Sequence, residues 1–337
     1  LLLARGCLAA AEGDARSGCD SPSIDPAAYR VIELPLLPTA INAGGAVVGT
    51  TKDHRAGVWT QKSGLTLVPL APGLAYMEAV SINASWQVLV IGYDQKREHR
   101  QAYLYQRGKL AELSGSQSRG FRIDDAGKVV GEALAPNGAR TVPVLWDGPR
   151  MNILDNCCGG VAKDIGHNGS IVGDLYDERG RYGAFRWTPG AAAERIGPPD
   201  AYSSAIAING AGHILIQSFS SVQLYDGERM ASVQLAPKLP NHPHAMNDCD
   251  EIVGEFGAYS DKDLAFRWTR GRGFEDLNTL ISPGSGWKLE TAQALNDGGA
   301  IVGRGDREHI DDVGYLLLPV SQDEQKPQGP HAVPAQP

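Results

Sequence analysis

Apolar and polar positions along this chain follow one phrase, repeated seven times. Each copy has an aliphatic residue, usually an Asn or Asp, a short polar turn, and a Val/Ile run that usually closes on Gly. The copies begin at Ile41, Ile82, Ile123, Ile165, Ile208, Met246 and Leu295, so successive starts lie 41, 41, 42, 43, 38 and 49 residues apart. A period near forty marks a unit that cannot bury its apolar face alone and must stack on its neighbours. Alternation and turn residues predict four short strands per period, a to d. Strand a ends at the aliphatic–Asn step and strand b is the Val/Ile run. Strand c carries an aromatic (Trp59, Tyr103, Trp146, Trp187, Tyr225, Trp268, Tyr315), and strand d is a short alternating piece such as 65–68 or 274–277.

The two ends of the repeat are complementary. Tyr29–Leu34 has the strand-d pattern and precedes the first copy, whereas the last copy stops after its strand c near Leu318. A ring closed by its own termini has this deficit, and closure removes the exposed sheet edges an open array would leave. An open solenoid would need polar capping units, which the chain lacks. The prediction is an all-β, seven-bladed β-propeller of four-stranded blades over residues 28–320, its N-terminal strand completing the C-terminal blade. Small residues three places before the aliphatic–Asn step (Ala79, Gly120, Ala162, Ala205, Ala292) suit a crowded axis. The Asn-x-x-Gly turn supplies a side chain that bonds its own backbone and a residue free to take positive φ.

The phrase Ile-Asn-x-x-Gly-x-Ile-Val-Gly followed by Ala-Phe-x-Trp, clearest at 165–187 and 246–268, resembles the HAF family of bacterial extracellular repeat proteins over roughly residues 30–320. Where that family usually has a His before the Ala-Phe pair, this chain has Arg55, Gln101, Gly183 and Leu264. The resemblance implies a secreted, propeller-like bacterial protein and carries no general activity.

Composition narrows the reading. With 41 Gly and 21 Pro in 337 residues, turns and short strands dominate. A net charge of −8 argues against a nucleic-acid binder, and no apolar run reaches the length of a membrane helix. Residues 1–11 look like the tail of a secretory signal cleaved after Ala11, with a lipid anchor at Cys7 as an alternative. Residues 1–27 and the Pro/Gln-rich 321–337 are expected to be disordered, and the protein to be exported, to the periplasm or beyond. Pairing of Cys19 with Cys157 or Cys158, or of the latter two with each other, is expected, leaving Cys249 a free thiol buried in a turn.

Candidate chemistry falls on the face that carries the long b-to-c and d-to-a loops, where a rigid scaffold displays function. Tyr202 and Trp287 offer stacking surfaces, with Glu290 beside them. Polar intrusions into strand a (Arg119, Arg122, Lys163, Asp164, His244, Gln293) point into the central channel, where packing alone would be served by Ala, Val or Ile. No zinc or calcium spacing, P-loop, dinucleotide fingerprint or Gly-x-Ser-x-Gly elbow occurs, so no metal or cofactor is expected. The preferred reading is an exported, non-enzymatic, monomeric propeller that binds a protein or glycan through its long-loop face. Two others stay open: an exported hydrolase or lyase using His244 with Glu290 or Asp164, and an envelope-associated repeat protein with no discrete ligand.

Overall fold

Each repeat folds into one blade. The computed structural model describes residues 28–155, 159–197, 202–219, 221–235, 241–257 and 263–320, and they form seven four-stranded antiparallel sheets. Blades 1 to 6 each use four consecutive strands. In blade 7, strands a to c are Trp287–Leu295, Ile301–Arg307 and Ile310–Pro319, and the outer strand is Tyr29–Leu34, with Tyr29 opposite Pro319 and Leu34 opposite Gly314. The expected closure is therefore present. The outer strands run about one residue earlier than expected (Gly64–Leu67, Lys109–Glu112, Gly273–Asp276), because pairing continues back to the c-to-d turn, where Gly64 and Gly273 take φ of 67° and 72°.

The core lies between blades. One cluster joins Leu89 and Ile91 of blade 2 to Ile123, Val129, Ala133 and Trp146 of blade 3. Another joins Val172 and Ala184 of blade 4 to Ala205, Ile208, Ile214 and Ile216 of blade 5. Each such aliphatic side chain is worth about 1.5–3 kcal/mol of burial, and it obtains that burial only from its neighbour. The closing strand is held from two sides, since Tyr29 also reaches blade 6: its ring packs in the blade 6–7 cluster and its hydroxyl accepts from Arg267 Nη1 at 2.8 Å. Arg267 is fully buried and pairs with Glu275 at 2.6 Å. Burial, eased by that guanidinium, pushes the Tyr29 phenol up to about 12.

At the narrow face the a-to-b turns build an inter-blade belt. The side-chain amide of each turn Asn donates to a backbone carbonyl of the next blade: Asn42 to Asn83 O (3.1 Å), Asn83 to Asp124 O (2.9 Å), Asn209 to Asn247 O (3.3 Å), Asn247 to Asn296 O (3.3 Å), and Asn296 across the closure to Asn42 O (3.1 Å). Blades 3 and 4 cannot contribute, because Asp124 and Gly166 stand where the Asn should be. At those two junctions Arg122 Nε meets Asp164 Oδ1 at 3.3 Å, and Asp164 Oδ2 accepts from Ile208 N at 2.9 Å. The ion pair and its hydrogen bond fill both gaps in the belt.

Cys249 sits in the blade 6 turn, half-buried and disulfide-bonded. This corrects the expectation of a free thiol, which rested on placing the Cys249 turn on the face opposite Cys157 and Cys158. Its partner lies outside the described residues, as do Cys7, Cys19, Cys157 and Cys158 and the terminal segments expected to be disordered.

Candidate functional site

Strand a of every blade carries a β-bulge, and the bulges shape the channel. The extra residue falls between Pro38 and Ala40, Ala79 and Ser81, Gly120 and Arg122, Ala162 and Asp164, Ala205 and Ala207, Pro243 and Ala245, and Ala292 and Ala294. A bulged residue has no ladder partner and is re-aimed by the local kink. Here those residues are Thr39, Val80, Phe121, Lys163, Ile206, His244 and Gln293, and all seven line one cavity of about 460 Å³ in the centre of the ring. A smaller cavity of about 150 Å³ lies at the narrow mouth beside the belt, and Arg122 lines both.

The same bulge explains the glycine that ends most b-strand runs. A Cβ on Gly49, Gly131, Gly173, Gly254 or Gly303 would lie 2.0–2.1 Å from the carbonyl oxygen of the facing strand a, where contact needs more than 3 Å. In these five blades the close approach of strand a leaves no room for a side chain. Blades 2 and 5 carry Val90 and Ile216 at this place, opposite Ala79 and Ala205.

Of the residues singled out in the sequence, the structure brings Arg119, Arg122, Lys163, Asp164, His244 and Gln293 to the chamber. Their situations differ. Lys163 Nζ lies 2.7 Å from Asp174 Oδ2 and donates to Ser204 Oγ of the next blade at 2.6 Å. Burial raises the Asp174 carboxyl above its ordinary range against the pull of Lys163. Asp164 is only 7 % exposed and accepts from Ile165 N and Ile208 N, each at 2.9 Å; burial raises its carboxyl as well. His244 Nε2 is 3.5 Å from Glu255 Oε2, an electrostatic contact at the limit of hydrogen bonding, and His244 holds the Glu255 carboxyl below its usual value. Arg119 has no ion pair among the described residues; its guanidinium lies 4.8 Å from the centre of the Phe121 ring.

The other three lie off the axis. Trp287 is half-buried, edge-on to Tyr315 at 6.1 Å, with the Arg307 guanidinium 5.7 Å from its ring, so its ring is part of blade 7's packing. Glu290 sits at a second bulge of the same strand, 3.6 Å from Lys288. Tyr202 is 46 % exposed and its ring lies 5.1 Å from that of Tyr182, tilted by 55°. Both Trp287 and Glu290 belong to strand a rather than to the preceding loop, because two bulges lengthen that strand to nine residues.

Sequence reasoning missed Thr39 and Phe121 in the chamber, and a cluster at its rim. There the Arg97 guanidinium lies 4.6 Å from the Tyr76 ring centre and 5.6 Å from that of Tyr93, and 3.8 Å from Glu78 Oε1, while the other carboxylate oxygen, Glu78 Oε2, accepts from the Tyr93 hydroxyl at 3.2 Å. Arg97 holds φ at 57°, a left-handed conformation uncommon for a long side chain. One signal could have found the seven bulged residues: all stand two places before the aliphatic residue of the repeat.

No family model and no curated protein matches the chain. Its fold is nevertheless widely shared. YCF48, in a structure bound to a D1 peptide, matches with a TM-score of 0.55 at 12% identity, over 89% of this chain and 97% of that one. Virginiamycin B lyase from Staphylococcus aureus matches at 0.56 and 15% identity, over 86% and 99%. A putative TolB from Agrobacterium tumefaciens matches at 0.50 and 11% identity, over 79% and 99%. The likeness is one of fold. Among the described residues no helix is long and apolar enough to cross a membrane.

Proposed function

We propose that this chain is an exported, non-enzymatic propeller that holds a partner, protein or glycan, on its wide face, with part of the partner entering the central chamber. The observation that carries this reading is the ring of bulges. The fold spends the same device seven times to aim a side chain at the lumen, and fills that one position with seven different residues. The preceding position is Ala, Gly or Pro in every blade, so variety is concentrated where an entering ligand would be met. The chamber's acids and bases, Lys163 with Asp174 and Arg122 with Asp164, are tied to one another, which suits recognition better than proton transfer. That YCF48 was seen with a peptide is consistent with such use of the fold. The HAF-like repeat adds the expectation of a bacterial protein outside the cytoplasm.

A hydrolase or lyase is the second reading, favoured by the His244–Glu255 pair at the chamber wall. Both readings meet in one experiment. Purified protein is screened on peptide and glycan arrays, and affinities for any hit are measured for wild type, Arg97→Ala and Tyr202→Ala on the wide face, and Lys62→Ala on the narrow face. The binding reading expects at least a tenfold loss for a wide-face variant, none for Lys62→Ala, and an unaltered ligand recovered afterwards. Equal affinity in all four proteins would refute it. Chemically altered ligand, lost in His244→Ala, would establish the enzyme.

A further inference from the structure

We propose that the central chamber is a carboxylate site, with Arg119 as its anchor and a peptide carboxylate as its ligand. The inference rests on the wide-face binding reading above and specifies what enters. Arg122 and Lys163 are engaged by Asp164 and Asp174. Glu78, which lines the chamber, is held by Arg97 and the Tyr93 hydroxyl, and Glu132, opposite Arg119 in the ladder, is paired with Arg100 at 2.7 Å. Arg119 stands apart: it lines the chamber, is exposed to the lumen, and forms no ion pair among the described residues. A guanidinium presents its donors as a planar fork that matches the two oxygens of a carboxylate.

Phe121 decides between ligand classes. It is the one phenyl or indole ring lining the chamber among the described residues, and the Arg119 guanidinium lies over it at 4.8 Å. That stacking restrains the guanidinium in the lumen and at the same time covers the surface a sugar ring would need. Beside Phe121 stand Val80 of blade 2 and, across Lys163, Ile206 of blade 5, whereas blades 6, 7 and 1 present His244, Gln293 and Thr39 in succession. An apolar arc facing a hydrogen-bonding arc, with one free guanidinium, fits a short aliphatic residue with its carboxylate and adjoining amide. A chamber of about 460 Å³ has room for two or three small residues.

The test uses ligand-observed NMR titration of the whole protein with N-acetyl-alanyl-alanine, its C-terminal amide, and glucuronate, repeated on Arg119→Gln and on Lys62→Ala. The expected result is saturable millimolar binding of the acid, about tenfold weaker binding of the amide, and loss of that preference in Arg119→Gln alone. Arg119 is exposed, and the circular dichroism and melting point of the variant verify that it folds. No saturable binding, equal binding of acid and amide, an acid preference that survives Arg119→Gln, or binding of glucuronate only would overturn the proposal. The two readings fail separately. A wide-face partner whose affinity ignores Arg119→Gln overturns the carboxylate site and spares the binding face. An acid-over-amide preference in a protein for which no macromolecular partner is found does the reverse.

Discussion

Replacing Asp164 by Ala distinguishes a structural carboxylate from one kept for chemistry. The side chain accepts from two buried backbone donors, Ile165 N and Ile208 N, and its second contact links blade 4 to blade 5. Removing it leaves both N–H groups without an acceptor, at about 1–3 kcal/mol each. Against this stands the relief of unburying a charge, which the raised Asp164 pKa shows to be unfavourable. The net expectation is a loss of about 2–4 kcal/mol. Asp164→Asn retains one acceptor oxygen and should lose about half as much. Arg122→Gln removes a partner that is 46 % exposed, so solvent screening limits its effect to about 0.5–1 kcal/mol. Urea unfolding followed by tryptophan fluorescence, with m held constant across the series, gives all three values. A carboxylate retained for reactivity would be neutral or stabilising on removal, so an Asp164→Ala protein as stable as wild type refutes the belt argument.

Three further perturbations test the fold and the chamber. Gly173→Ala places a Cβ 2.0 Å from Val161 O and should cost at least about 3 kcal/mol in the same assay, whereas Gly271→Ala, with open space around it, should be nearly neutral. Tyr29→Phe removes the hydroxyl that accepts from buried Arg267 and should destabilise by about 1.5–3 kcal/mol, read as a lower melting temperature. The Glu255 carboxyl is held below its ordinary value, so its stabilising contribution is complete above the unfolded-state pKa and is lost as pH falls through the lower folded-state one. His244→Ala should raise the Glu255 pKa towards the ordinary value, measured by carboxyl carbon NMR; an unchanged value would remove His244 as the cause.

The blade count and the closure were legible because they rest on hydrophobic period and on a missing strand at each end. The chamber was only half legible. Side-chain direction in a strand is read by alternation, and a bulge resets the phase, so adjacent residues such as Lys163 and Asp164 are both polar and yet serve different places. Both touch the chamber, but Lys163 is the bulged residue and pairs with Asp174 within its blade, while the Asp164 carboxylate binds backbone N–H groups of its own and the next blade. A sequence shows that strand a is polar here and cannot show which of the two is bulged. Thr39 and Phe121 escaped notice for a related reason: neither is unusual in a strand, and only the ring of equivalent positions gives them meaning. Trp287 was singled out as an aromatic beside charged residues, but an Arg over its ring and a Tyr at its edge place it within blade 7.

The closing strand has a consequence for how the protein is presented. Ala28 O accepts from Val320 N at 2.9 Å, so the two ends of the propeller leave it side by side, at the narrow rim of blade 7. Both flanking segments, residues 1–27 and 321–337, therefore join the propeller on the side away from the long loops, which bears on how a lipid, a second domain or an affinity tag is best attached. Immobilisation through either terminus leaves the chamber free to the medium, whereas attachment through wide-face lysines such as Lys96 would block it.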